Sequence, residues 1–114
     1  MGMPINQIFN SASAGFTLGA QQPISCDYLQ APFSARVAVY IPAGSSATYG
    51  VEWTADNVNN TNLTARWFSD STLPAGQTAS ATTVYTSPIA FVRLNITALT
   101  GVAEMKTLQG FTSR

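Results

Sequence analysis

Ser87-Pro88-Ile89-Ala90-Phe91-Val92-Arg93-Leu94-Asn95-Ile96-Thr97-Ala98-Leu99-Thr100-Gly101 decides the fold class. Ala90, Val92, Leu94, Ile96 and Ala98 fall on one face of an extended chain, and Phe91, Arg93, Asn95 and Thr97 on the other. A period of two, apolar against polar, marks a half-buried β-strand. A second strand, 102–109, follows after a tight link at Leu99-Thr100-Gly101, and the block reads as a C-terminal β-hairpin.

The same style repeats upstream. Ala35, Val37, Val39 and Ile41 alternate with Arg36, Ala38 and Tyr40, and the run stops at Pro42-Ala43-Gly44-Ser45-Ser46. Tyr49, Val51, Trp53 and Ala55 alternate with Gly50, Glu52, Thr54 and Asp56, so the two runs are expected to form an antiparallel hairpin across that turn. Leu63, Ala65 and Trp67 alternate with Thr64, Arg66 and Phe68 in a further strand. Gln77 to Thr86 is rich in Thr and Ala and reads as an edge strand. Ile24 to Leu29 is a short strand closed by Ala31-Pro32. Residues 1–23 read as an N-terminal arm. Ile5, Ile8 and Phe9 there have a helical spacing that Pro4 and the following small residues limit to a turn or two, and a short strand is possible near Phe16 to Leu18. Regular short strands with polar turns and no sustained helical period predict an all-β fold. We expect a single-domain antiparallel β-sandwich over 24–114, jelly-roll-like, with the arm in front.

Composition removes most chemistry. The chain has no histidine, one cysteine, a formal net charge of zero and only 9% charged residues, against about 25% in an ordinary domain. Without histidine, a serine or cysteine nucleophile lacks its usual base, and His/Cys metal sites are not expected. Cys26 reads as a small buried side chain. Glu52 and Asp56 lie about 13 Å apart along one strand, too far to act as an acid/base pair. The Asp56-Asn57-Val58-Asn59-Asn60 run holds one carboxylate, too few for a calcium loop. Arg36, Arg66, Arg93, Lys106 and Arg114 are scattered singly, which argues against nucleic acid. No run is long and apolar enough for a membrane helix. Three Asn-x-Thr triplets, at Asn59, Asn62 and Asn95, read as products of an Asn/Thr-rich composition. No enzyme, cofactor, metal, nucleic-acid partner or membrane is therefore expected.

The aromatic residues divide by alternation. Trp53 and Trp67 fall on core faces, whereas Tyr40, Phe68 and Phe91 fall opposite and are candidates for an exposed contact patch. Together with Ile5, Ile8, Phe9 and Phe16 of the arm they form the expected interface set. The same aromatics, with Asn95 beside Phe91, would suit a sugar platform.

From Pro88 to Gly110 the chain reads as a proline, an alternating strand with Arg93-Leu94-Asn95-Ile96-Thr97, a glycine turn and a final strand ending in Gln109-Gly110. With Trp67-Phe68 and the Thr/Ala-rich stretch before it, this order resembles small tailed-phage virion proteins over about residues 35 to 110. Among them it is similar to the capsid decoration (cement) proteins of short-tailed phages. The resemblance implies a small jelly-roll-like sandwich that bridges major capsid subunits and assembles as a dimer or trimer. It also implies a place on the capsid surface of the virion after synthesis in the host cytoplasm. It carries over no catalytic residue and no single contact position. A tail or head-completion role and a carbohydrate-binding module are the alternatives.

Overall fold

The computed structural model describes residues 5–10 by their backbone, and 17–28, 32–58 and 64–109 in full. Nine strands and no helix occur among them: β1 (Ile5–Asn10), β2 (Gly19–Ala20), β3 (Ile24–Ser25), β4 (Ala35–Tyr40), β5 (Ser46–Thr54), β6 (Phe68–Ser69), β7 (Ala81–Tyr85), β8 (Phe91–Thr100) and β9 (Glu104–Gln109). They build two antiparallel sheets. Sheet A runs β1-β9-β4-β7, and sheet B runs β2-β8-β5-β6 with β3 also on β8. With β2 and β3 counted as one interrupted strand, this is an eight-stranded jelly-roll sandwich.

The pairing follows one rule. β1 pairs β9, β2 and β3 pair β8, β4 pairs β7, and β5 pairs β6. Every one of these pairs is centred between residues 57 and 61. The chain is thus one long hairpin, rolled up so that β9 also meets β4 and β8 also meets β5.

Both hairpins expected from the turns are therefore corrected. β4 lies in sheet A and β5 in sheet B, so Pro42 to Ser45 crosses between sheets. β8 and β9 are likewise split, and Gly101 to Ala103 is a second crossing. The two crossings meet where the Val102 amide donates to Ser45 Oγ at 3.0 Å. Gly101 turns there at φ +88°, and a Cβ on it would collide with Ser45.

Ala35, Val37 and Val39 from β4, Met105, Thr107 and Gln109 from β9, and Thr83 from β7 face Tyr49 and Val51 of β5 and Val92, Leu94 and Ile96 of β8. All are buried. Each large aliphatic side chain removed from water contributes about 1.5–3 kcal/mol, and the period-two pattern supplies one every second residue. The register of β5 on β8 shifts once. Thr48 opposes Ala98 while Tyr49 opposes Ile96, leaving Thr97 as an extra residue on β8. A bulge reverses the alternation beyond it. Ala98, expected inside, is exposed, and Leu99 packs on the core instead.

The N-terminal stretch departs from its reading. Residues 5–10 are strand β1, paired along its length with β9, and not a helical turn. Two turns of helix are too short to hold in water, whereas the β9 edge offers a full ladder. The short strand in this region falls at Gly19–Ala20, two residues beyond the expected place, and Phe16 lies outside the described residues.

Candidate interaction surface

The acids of the described residues are placed by structural partners. Asp70, 5% exposed, accepts from the amides of Thr72 (3.1 Å) and Leu73 (2.7 Å) and closes the turn after β6. Glu52 accepts from Arg93 Nε at 2.7 Å and from Asn95 Nδ2 at 3.2 Å on the outer face of sheet B. Asp56 takes the amide, Nε and Nη2 of Arg66, clamping the two sides of the apical loop between β5 and β6. The Arg66 bonds hold the Asp56 carboxyl below its ordinary range. No group of three or more His, Cys, Asp or Glu side chains occurs among the described residues.

Cys26 is 7% exposed, and burial pushes its thiol up to about 12. It stays protonated and unreactive at neutral pH. It lines a depression of about 440 Å³ with Tyr28, Ala55, Pro88 and Phe91. Nothing in that depression activates a nucleophile.

Of the adjacent aromatics Trp67 and Phe68, Phe68 is exposed as read, whereas Trp67 is not part of the core. Phe68 sits opposite Trp53 and stacks on it, centroids 5.0 Å apart, at the open margin of the core. Trp67, expected inside, lies outside beneath the Arg93 guanidinium, 4.0 Å from its ring centroid. A one-residue slip exchanges the faces of a strand, and only two residues here are strand at all. The indole face that a sugar would stack on is occupied by Arg93.

The expected patch is therefore divided. Tyr40, 56% exposed, is on the outer face of sheet A; Phe68, 52% exposed, is at the margin of sheet B; Phe91 is half-buried beside Cys26. For Ile5, Ile8 and Phe9 the structure gives the backbone pairing to β9. The outer face of sheet A gathers three of the exposed large hydrophobic residues, Tyr40, Val84 and Leu108. Register aligns Val84, Arg36 and Leu108 in one row, Thr82, Ala38 and Lys106 in the next, and Tyr40 with Glu104 in the third. Val84 (44% exposed) and Leu108 (46% exposed) were not singled out by sequence. Their alternation with buried Thr83, Thr107 and Gln109 was the available signal. An open sheet face with exposed apolar residues and both charge signs suits docking against another protein surface.

Among known proteins, no family model, no curated sequence and no solved structure matches this chain.

Proposed function

We propose that this protein is a non-enzymatic structural component of a phage virion, most simply a decoration protein that binds the major capsid protein on the outside of the shell. The observation that carries the reading is the outer face of sheet A, a sheet surface presenting Tyr40, Val84 and Leu108 with Arg36, Lys106 and Glu104 around them. Near-zero charge leaves no long-range repulsion against close packing in a multi-copy shell. The likeness of residues 35–110 to small phage virion proteins points the same way. A jelly roll serves capsid and lectin domains alike, so the site and not the fold must choose between them. Trp67 capped by Arg93 and Phe91 half-buried offer a sugar little stacking surface.

Capsids of the encoding virus prepared without this protein provide the test. Purified protein at about 10 µM is expected to co-sediment with them at fixed stoichiometry, and Leu108→Asp is expected to release it while remaining folded. Absence of binding by the unaltered protein refutes the reading. Microscopy of labelled particles separates a shell position from a tail or head-completion position, since decoration is spread over the whole shell.

A further inference from the structure

The open edge of β7 is a second feature, and it stands independently of the virion reading. Sheet A ends at β7, and among the described residues no strand pairs its far side. A groove of about 410 Å³ adjoins the C-terminal half of β7, lined by Thr83, Val84 and Tyr85, by the chain from Thr86 to Ile89, and by Trp53 with Ser69 to Thr72. The unpaired side of β7 is where a fifth strand of sheet A would sit. Sheet B has no equivalent opening beyond β5, because the chain covers that side itself. The Asp70 amide donates to the Val51 carbonyl, the Val51 amide to the Leu73 carbonyl, and Tyr49 exchanges both bonds with Gln77.

Exposed edges are normally blunted by lysine, proline or a bulge. β7 has none of these, and no charged residue occurs anywhere from Ser71 to Val92. Its five residues are centred on Thr83, with Thr82 and Val84 exposed on either side. An antiparallel pair of two such strands about a twofold axis at Thr83 sets Val84 opposite Thr82 of the other copy. That is a β-branched cross-strand match, and no charge opposes it.

We propose that two copies of this chain associate through β7, edge to edge and antiparallel, joining their A sheets into one continuous eight-stranded sheet. The occupant is a second copy because the strand is self-complementary in length, side-chain type and charge.

The test is sedimentation equilibrium of the full chain from about 1 µM to about 1 mM, with two double variants at the exposed positions. Thr82→Lys/Val84→Lys places like charges opposite each other twice across the axis and is expected to weaken the dimer at least tenfold. Thr82→Lys/Val84→Glu places opposite charges there and is expected to keep the dimer within about threefold of the unaltered protein. Urea midpoints verify that both variants fold. Amide exchange in β7 should also slow with rising concentration in the unaltered protein and not in the like-charge variant. A chain that stays monomeric throughout, a like-charge variant that dimerises normally, or an opposite-charge variant as weak as the like-charge one overturns the proposal.

Discussion

Gln109 is the residue whose loss the fold should feel most for the smallest change of shape. It is fully buried at the end of β9. Its Oε1 accepts from the Asp27 amide at 2.6 Å, and its Nε2 donates to the Asp27 carbonyl at 3.3 Å. Asp27 follows β3, so this one amide clips the last strand of sheet A to the edge of sheet B. Gln109→Leu keeps the volume and removes both bonds. A buried group left unpaired costs about 1–3 kcal/mol. Asp27 is half-buried and water recovers part of that, which places the expected loss at about 2–4 kcal/mol for the two groups. At about 4 °C per kcal/mol for a domain of this size, the melting point should fall by about 8 °C or more. Gln109→Glu tests the same geometry by charge. The carboxylate keeps the amide contact but loses the donor and faces the Asp27 carbonyl. Burial and that carbonyl raise its folded pKa above the unfolded value of about 4.3. The variant is then most stable below that pH and loses stability as pH rises through the folded pKa. Urea unfolding followed by tryptophan fluorescence reads both. A Gln109→Leu midpoint within about 0.5 kcal/mol of the unaltered protein, or a Gln109→Glu variant with no added pH dependence, refutes the clip.

Thr107 buries a hydroxyl with no hydrogen-bond partner among the described residues. Thr107→Val is expected to stabilise by about 1 kcal/mol, and a lower urea midpoint would contradict that account. A Cβ on Gly50 would stand 2.8 Å from the backbone of Ala75, so Gly50→Ala must push the 70–77 segment off β5. A loss of about 2–3 kcal/mol, with faster amide exchange at Leu73 and Gln77, is the expected readout. Cys26 ionises near 9 when unfolded and at about 12 when buried. Its contribution is thus unchanged below pH 9 and is lost as pH rises toward 12, by up to about 4 kcal/mol at 1.36 kcal/mol per unit. Burial raises the Tyr49 phenol; burial first, then the nearby Asp70 carboxylate, raises Tyr85. Both act in the same direction, so alkaline urea titrations should show a steep loss above pH 9 and folded protein at pH 8 should react with thiol reagents far more slowly than unfolded protein.

What the sequence disclosed was burial by face. The inward set of β4, Tyr49 and Val51 of β5, and the first half of β8 is read directly from alternation, because a half-buried strand cannot hide its period; Thr54, read as outward, is fully buried. The reading failed where the backbone itself changes the count. The extra residue at Thr97 has no glycine or proline to announce it, so Ala98 and Leu99 exchange roles. Trp67 is misassigned for a related reason. Its segment is mostly irregular, and the choice between indole inside and indole outside is made by Arg93, which lies 26 residues away and offers a cation to the ring. The dispersed exposed aromatics follow from the same cause, since alternation gives a side of a strand but not the sheet to which that strand belongs.

The mistaken hairpins identify a physical gap between turning and pairing. Pro42 to Ser45 and Gly101 to Ala103 do reverse the chain, and their residues show it. A reversal can return a strand beside its predecessor or carry it about 10 Å across a sandwich to the facing sheet. Both use the same turn chemistry. Here a hairpin in place would leave the apolar faces of β4 and β5 side by side with nothing above them. Crossing instead sets Val37 and Val39 against Tyr49 and Val51, with Ser45 Oγ tying the two crossings together. Once every consecutive pair except β2–β3 and β5–β6 is forced apart in this way, strands must find partners far along the chain, and pairing about a common midpoint is what remains. That arrangement also fixes which edges are left over. β1 closes one side of sheet A at the outer end of the rolled hairpin, and the partner of β7 within the hairpin, β4, already has β9 on its other side. The vacancy beside β7 thus follows from the winding of the roll, and the uncharged run from Ser71 to Val92 leaves it without the usual deterrents to a second chain.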